Sequence, residues 1–257
     1  MRQSIAALLL ACLLVTSGCA GLLGEERSPS DQRAQDALNR SRAALADVSS
    51  YRARNDGFGR MTGDDREITA DVRGEVLVNV TSREMRSNGR VDDPSNPLPG
   101  VRRTYVDNYT VLTECRLAGW GREELSTSRD WFAYTPIGEQ FAMLSRSPVY
   151  WEGRERLNGT QVAVVEAHPT KEELLAVPSV WTLEPEDPEQ ANFQNATVRV
   201  WLSTETWLPL QIMRESHWKA GGARVTLSTT WRYDGYDEPA NVTRPSVPDS
   251  EIRDRSC

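Results

Sequence analysis

The residues of this chain that could carry out acid–base or nucleophilic chemistry are few and widely spaced. Its 257 residues include two histidines, His168 and His217, and neither belongs to an H-E-x-x-H zinc pattern. The sequence also has no G-x-S-x-G nucleophile elbow and no phosphate-binding P-loop. Each histidine stands near the end of a predicted strand, and we interpret both as surface or strand-edge residues. The sequence therefore predicts that the protein is not an enzyme.

Acidic side chains are numerous, but their spacing does not predict a metal site. The adjacent pairs Asp64-Asp65 and Glu123-Glu124 would point to opposite faces of a strand. The acidic segment Glu184–Glu189 has oxygen ligands suited to calcium, yet it lacks the spacing and the glycine of an EF-hand loop. We therefore expect neither a metal ion nor a cofactor.

The residue with the clearest predicted chemistry is Cys19. An apolar run of 11 residues, Ile5–Val15, follows Arg2 and leads through Thr16-Ser17-Gly18 to this cysteine. The run is shorter than the roughly 20 residues of a membrane span, and its order of segments is that of a secretory signal. The segment resembles the lipobox of prokaryotic lipoproteins, in which the thiol carries a lipid. The resemblance implies membrane anchoring through Cys19; a plain signal peptide or an uncleaved short anchor are the alternatives.

Two further cysteines, Cys115 and Cys257, would remain in the mature chain beside the lipidated residue. Export exposes these thiols to an oxidising environment, in which a disulfide persists. A bond between them would tie the C-terminal residue to a central strand. Two free thiols are the alternative.

Six N-x-[ST] sequons also favour an exported and glycosylated protein. Their asparagines are Asn39, Asn79, Asn108, Asn158, Asn195 and Asn241. The formal net charge of −7 disfavours binding to the phosphate backbone of nucleic acids. Only two of the 30 basic residues are lysine, a bias typical of salt-loving archaea and also of GC-rich genomes.

The elements that must position these residues begin with a helix. Ser28 as N-cap, Pro29 at the first helical position and Asp31 three residues after the cap form a helix start, and apolar residues then recur at helical spacing through Ser49. A second, short helix is predicted at the segment TKEELLA, where Thr170 precedes a glutamate by three residues.

From Tyr51 onwards the hydrophobic pattern has a period of two residues, which predicts antiparallel strands with one solvated face. The pattern is clearest in Val72–Val80, Ala196–Leu202 and Val225–Tyr233. Asn158-Gly159 and Gly221-Gly222 stand between alternating segments and predict tight hairpin turns.

A sheet of so many strands cannot stay flat, because the twist of each strand accumulates across it. The predicted fold is mainly β in the α+β class. It is a strongly curved antiparallel half-barrel with the N-terminal helix and the short helical insertion against its concave side. The predicted organisation is a signal peptide (1–18), a lipidated tether (19–30), the half-barrel domain (31–248) and a C-terminal tail (249–257).

The segment Val198–Leu210, VRVWLSTETWLPL, has the order strand, polar turn, Leu-Pro and strand, and the strand Val225–Tyr233 is followed by Tyr236, Asn241 and Pro245. In both features the C-terminal half resembles LolA-like carriers of outer-membrane lipoproteins, the second resembling the family's last strand. This resemblance implies an unclosed barrel whose helices cap a hollow, and a role in binding lipids or lipoproteins or in sensing envelope proteins. No catalytic motif comes with it.

From these observations we expect a membrane-anchored, exported lipoprotein that binds a lipid, an acyl chain or another apolar ligand in the hollow. The alternative is an envelope sensor or protein-interaction module with a packed interior. A cavity inside the half-barrel favours the first function, and a filled core favours the second.

Overall fold

One curved sheet of 12 strands forms most of the chain. The computed structural model describes residues 27–63, 67–92, 100–115, 119–177 and 191–254. The strands are β1 Ser50–Thr62, β2 Glu67–Asn79, β3 Glu84–Asp92, β4 Gly100–Asp107, β5 Thr110–Glu114, β6 Trp120–Glu124, β7 Val149–Leu157, β8 Thr160–Ala167, β9 Asn192–Ser203, β10 Pro209–Ala220, β11 Ala223–Asp234 and β12 Ile252–Arg253. The helices are α1 Gln32–Ala46, α2 Pro136–Leu144 and α3 Lys171–Leu175, with a 3₁₀ turn at Trp131–Tyr134.

The strand order shows how the two halves of the chain join. It runs β12-β6-β5-β4-β3-β2-β1-β11-β10-β9-β8-β7, so that β1 pairs with the last long strand, β11. Apart from the short parallel pair β12–β6, the paired strands in the described part of the chain are antiparallel. The sheet is open, with β7 at one edge and β12 at the other, which confirms the predicted curved antiparallel half-barrel.

The two predicted hairpin turns are confirmed. Asn158 and Gly159 have φ values of 51° and 87° between β7 and β8, and Gly221 and Gly222 have 56° and 87° between β10 and β11. A type I′ turn needs positive φ at both central residues, which glycine adopts without strain and asparagine tolerates. These turns fix the register of the β7–β8 hairpin and of the β10–β11 hairpin.

Helix α1 begins three residues later than the sequence predicts. Its N-cap is Asp31, whose side chain accepts a hydrogen bond from Arg33 N, and not Ser28. The preceding residues are bound to β7 instead. Tyr150 donates to Ser28 O at 2.8 Å, and the backbone N–H of Val149 donates to the Ser30 hydroxyl at 3.1 Å. The short insertion α3 has the predicted Thr170 cap and a complete capping box with Glu173.

The helices pack on the concave face of the sheet and bury its apolar residues. Ala34, Ala37 and Leu38 of α1 are buried, as are Trp218 and Trp231 of the sheet. Small side chains on α1 allow the helix to lie close to β7 and β8. A packed core therefore fills much of the interior, in addition to the cleft described below.

Trp201 faces outward on β9, as the strand pattern predicts, but it is not exposed. Together with Val162 and Val164 it forms a small apolar cluster on the convex side, and its indole N–H donates to Glu155. The convex face of β8 and β9 therefore has an apolar cluster of its own, which buries the Trp201 ring.

The C-terminal residues extend the sheet. A 3₁₀ turn at Asp249–Glu251 leads into β12, which pairs with β6 by placing Ile252 beside Trp120. Cys115, at the neighbouring end of β5, is disulfide-bonded. Cys257 lies outside the described residues, so its bond to Cys115 remains a prediction.

Candidate functional site

A cavity opens between the two longer helices, and we call it the helix cleft. Its volume is about 590 Å³. It is bounded by the C-terminal end of α1, the 3₁₀ turn, α2 and the connection between β2 and β3. Its apolar lining consists of Leu45, Val80, Trp131, Phe132, Phe141, Ala46, Ala133 and Ala142, and its polar lining of Arg42, Arg83, Asp130 and Ser145, beside Gly138.

The wall of the cleft formed by α2 is positioned by a tight corner. The Thr135 hydroxyl donates to Phe132 O at 2.8 Å and accepts from Gly138 N at 3.1 Å, so one side chain joins the 3₁₀ turn to the helix. Pro136 occupies the first turn of α2, where its missing N–H costs no hydrogen bond. A Cβ atom at Gly138 would lie 1.8 Å from Phe132 O, so only glycine permits this contact.

A buried polar cluster holds α2 to the sheet. Glu139 on α2 and Arg214 on β10 are both buried, with Arg214 Nη1 3.9 Å from Glu139 Oε1. Ile137 N donates to the Tyr51 hydroxyl of β1 at 3.5 Å. Burial raises the pKa of Tyr51 and of its neighbour Tyr233 well above the ordinary range, so both stay neutral at physiological pH.

The rim of the cleft is cationic. Arg42 projects from α1, where its Nη1 donates to Asn39 Oδ1 at 3.0 Å and its guanidinium lies 6.0 Å from the centre of the Phe141 ring. Partial burial lowers the pKa of Arg42, although an arginine stays charged. Asp130 carries the opposite charge, but its Oδ1 already accepts the Phe132 N–H at 2.7 Å as the cap of the 3₁₀ turn.

A second, more polar cavity of about 290 Å³ continues from the helix cleft towards the N-terminus, and we call it the tether groove. It runs between α1 and the end of α2, from Ser30 and Val149 to Arg42 and Ser145. Arg42 and Ser145 line both cavities, so they stand where the two meet. The arrangement is a continuous depression along α1 with a cation at its midpoint.

The chain enters the domain at one fixed place beside the tether groove. Arg27 binds both carboxylate oxygens of Glu173, with Nη1–Oε2 at 3.0 Å and Nη2–Oε1 at 2.5 Å. Glu173 also accepts from Thr170 N at 2.9 Å and from the Ser147 hydroxyl at 3.0 Å. The hydrogen bonds from Arg27 lower the pKa of Glu173. We call this group of four residues the tether root.

The concave face also has an end with exposed apolar side chains. Side chains alternate between the two faces along a strand. Met61 lies an even number of residues from buried Tyr51 on β1, and Val91 an even number from buried Met85 on β3, so all four side chains face the concave side. Met61 is nevertheless 41% exposed and Val91 38% exposed. The exposed apolar side chains at this end of the sheet are therefore far along the strands from Tyr51.

The structure describes only some of the predicted site residues. Cys19 and the acidic segment Glu184–Glu189 lie outside the described residues, so the lipid anchor stays a prediction. The sequon residues Asn39, Asn108, Asn158, Asn195 and Asn241 are exposed, whereas Asn79 is half-buried and its side chain accepts from Ser82 N at 3.0 Å. Their glycosylation is likewise still a prediction.

The two histidines have the surface positions that the sequence predicts. His168 lies beside Glu166 with more than half of its side chain exposed, and His217 lies between Glu215 and Thr226. Within the described ranges, no group of three or more histidine, cysteine or acidic residues could hold a metal ion. No helix in the same part of the chain is long and apolar enough to cross a membrane.

Sequence reasoning missed the elements that form the cleft. It predicted no helix at α2 and no turn at Trp131–Tyr134, although these supply most of the aromatic lining. The available signal was Thr135-Pro136, a capping residue followed by proline at the first helical position. The short apolar run that follows is ambiguous between strand and helix, which explains the omission.

No protein-family model matches this chain, and no curated protein sequence matches it. Solved structures match it only weakly. The chain is 14% identical to the Mycobacterium tuberculosis lipoprotein LppX, covering 83% of this chain and 100% of that one with a TM-score of 0.44. For LprF from Mycobacterium bovis the identity is 11%, the coverage 85% and 99%, and the TM-score 0.46. A putative outer membrane lipoprotein-sorting protein domain from Vibrio parahaemolyticus gives 13% identity, 80% and 94% coverage and a TM-score of 0.31. At these values the matches carry no argument about the ligand of this chain.

Proposed function

We propose that this protein binds an acyl chain, or another apolar ligand of similar width, in the helix cleft and does not transform it. The observation that carries the proposal is the cleft itself. Its volume of about 590 Å³ is within the range of small-molecule sites, about 300–1,000 Å³. Its walls are mostly aliphatic and aromatic, with a few polar groups at the rim, which is the composition of sites for amphipathic ligands.

The driving force for such binding is burial of hydrocarbon. Each CH₂ group removed from water contributes about 0.8 kcal/mol. Leu45, Phe132 and Phe141 supply the contact surface, and α1 with α2 forms the two sides through which a chain would enter. The buried pair Glu139–Arg214 holds α2 on the sheet, so the lining is preformed. Ligand binding therefore requires little loss of conformational freedom in the protein.

The proposed location is the outer face of the cell membrane, with Cys19 as the lipid-bearing residue. Seven residues, 20–26, lie between this anchor and Arg27 of the tether root, so eight residue steps join the two. Fully extended, they span about 28 Å, which keeps the tether groove within reach of the membrane surface. A Cys19→Ser variant tests the anchor by cell fractionation. Unchanged retention in the membrane fraction would contradict it.

A second candidate function is protein interaction, as in an envelope sensor. It is favoured by the packed interior and by the exposed Met61 and Val91 at the far end of the concave face. An apolar surface that is left exposed can be covered by a partner protein. This function would not require the helix cleft to hold a ligand.

The experiment that separates the two functions is identification of a native ligand. The full chain would be purified from its native host without added detergent, extracted with organic solvent and analysed by mass spectrometry. A lipid present at about one per chain supports acyl-chain binding and identifies its class. An extract without lipid favours the interaction module.

A cleft-filling variant links any such ligand to its place. Ala142 is half-buried and lines the cleft, so Ala142→Phe would occupy part of the volume. The matched control is Ala43→Phe, at an exposed position of α1 that does not line the cleft. We expect Ala142→Phe to reduce the bound lipid at least severalfold and Ala43→Phe to leave it unchanged. Equal lipid content in both variants would place the ligand elsewhere.

A further inference from the structure

The geometry points to a ligand whose acyl chain ends in an anionic head group, with Arg42 as the residue that binds this head. The inference rests on the proposed function, since it specifies which apolar ligand the helix cleft accepts. It assigns the chain to the apolar cleft and the head to the junction between the cleft and the tether groove.

Arg42 is placed and oriented for this role by its own helix. It lies on α1 one turn before Leu45, so its side chain leaves the helix beside the apolar lining. The single hydrogen bond to Asn39 at 3.0 Å and the contact with the Phe141 ring hold the guanidinium at the junction. An arginine has five N–H donors in a planar fork that matches a carboxylate or phosphate. Only one of these donors is engaged among the described residues.

The charge at the rim favours an anion over a cation or a neutral head. Arg42 and Arg83 both line the cleft, against one carboxylate, that of Asp130. Among the described residues, neither guanidinium forms an ion pair with a carboxylate. Asp130 is turned to the backbone of the 3₁₀ turn, where it accepts from Phe132 N. The partial desolvation that lowers the pKa of Arg42 also strengthens its attraction to a bound anion.

The chemical class is therefore a single-chain amphiphile with an anionic head. Both a fatty-acid carboxylate and the phosphate of a single-chain phospholipid have this chemistry. A charge-assisted, bidentate pair with arginine suits either head. A quaternary ammonium head would find cations at the rim and is disfavoured.

The test compares two probes that share one acyl chain, of which one has an anionic head and the other a neutral head. The fluorescent fatty acid cis-parinaric acid and its methyl ester are titrated into the full-length chain after purification and delipidation, at 50 mM KCl. We expect the acid to bind about tenfold more tightly than the ester, a difference of about 1.4 kcal/mol. Raising KCl to 500 mM should weaken binding of the acid severalfold and leave the ester unchanged, because salt screens the charge.

Variants assign the effect to one residue. Arg42→Met keeps an apolar stem and removes the charge, and we expect it to abolish the tenfold preference for the acid. The matched control is Arg40→Met, which removes one charge from the same helix at a residue stacked on Trp207, outside the cleft. It should retain the preference. Circular dichroism of each variant verifies folding, and the salt titration of the unmodified chain tests the inference even if a variant fails to fold.

The outcomes distinguish the inference from the proposed function. Equal affinity of the acid and the ester, or a preference that survives Arg42→Met, overturns the anionic-head assignment and leaves acyl-chain binding intact. Failure of both probes to bind overturns the proposed function and the inference together. Competition by palmitate and by 1-palmitoyl-lysophosphatidate then separates the two sources of the anion, since the preferred one displaces the acid at lower concentration.

Discussion

Replacement of Glu173 by glutamine is expected to destabilise the domain at neutral pH, because this carboxylate is the centre of the tether root. It accepts hydrogen bonds from Arg27, from Thr170 N and from the Ser147 hydroxyl, and it completes the capping box of α3. Glutamine has nearly the same shape but no charge and one carbonyl oxygen. The substitution therefore removes the ion pair and leaves fewer acceptors for three donors.

The size of the effect follows from the exposure of each partner. The Arg27 side chain is 36% exposed, so its ion pair contributes at most about 1 kcal/mol. Each remaining hydrogen bond contributes about 0.5–1.5 kcal/mol, and glutamine retains part of that. We expect a loss of about 1.5 kcal/mol in the free energy of unfolding. For a domain of this size that corresponds to a fall of about 3–6 °C in Tm.

The pH dependence gives the sharper test. The pKa of Glu173 is lowered in the folded state, chiefly by its hydrogen bonds to Arg27. A lowered pKa contributes stability that is complete above the unfolded pKa, near pH 4.3, and is lost as pH falls through the folded pKa. Urea unfolding at pH 7 and at pH 3 should therefore show a larger difference in stability between Glu173→Gln and the unmodified chain at pH 7 than at pH 3.

A neighbouring glutamate provides the matched control. Glu172 lies in the first turn of the same helix but is exposed. Within the described part of the chain its backbone carbonyl accepts from Ala176 N, and its side chain forms no hydrogen bond. Glu172→Gln should change the free energy of unfolding by less than about 0.5 kcal/mol. The reasoning is refuted if both variants lose the same stability, or if the loss in Glu173→Gln is independent of pH.

Three further predictions concern the walls of the cleft and the sheet edge. Gly138→Ala should cost more than about 3 kcal/mol or prevent folding, because its Cβ atom would overlap the carbonyl of the 3₁₀ turn, and thermal unfolding followed by circular dichroism measures this. Glu139→Gln should lower the free energy of urea unfolding by about 1–3 kcal/mol, because buried Arg214 loses the negative charge beside it. The double variant with Arg214→Met should show a non-additive loss, and additive losses would contradict the pairing. Cys115→Ser should cost about 2–5 kcal/mol, and non-reducing peptide mapping of the unmodified chain should yield one cross-linked peptide that contains the C-terminal residue.

Most of the sheet could be predicted from the sequence because its signals are local. Alternation with a period of two residues places β2, β9 and β11, and the pairs Asn158-Gly159 and Gly221-Gly222 mark turns that require positive φ. The capping box at Thr170 predicts α3 in the same way. In each case the interactions that determine the local structure are between residues close together in the sequence.

The start of α1 shows where local reasoning fails. Ser28 and Asp31 are both good caps, and the sequence pattern does not distinguish them. The hydrogen bonds of Ser28 O and of the Ser30 hydroxyl to residues of β7, more than 100 positions away, select Asp31. A long-range strand contact thus decided a helix boundary.

The sequence by itself determined that this chain is a mainly β protein, because the alternation of apolar and polar residues is visible in it. The scarcity of histidine predicts a non-catalytic role, and this stays a prediction. Its signal segment and Cys19 predict export and a lipid anchor in the same direct way. Only the tertiary structure decided where a ligand could lie. The helix cleft joins α1, α2 and the end of β2, and Arg42 meets Phe141 there across about 100 residues of chain. No local sequence pattern predicts the contact between Arg42 and Phe141, because it depends on how the curved sheet brings elements that are distant in sequence together.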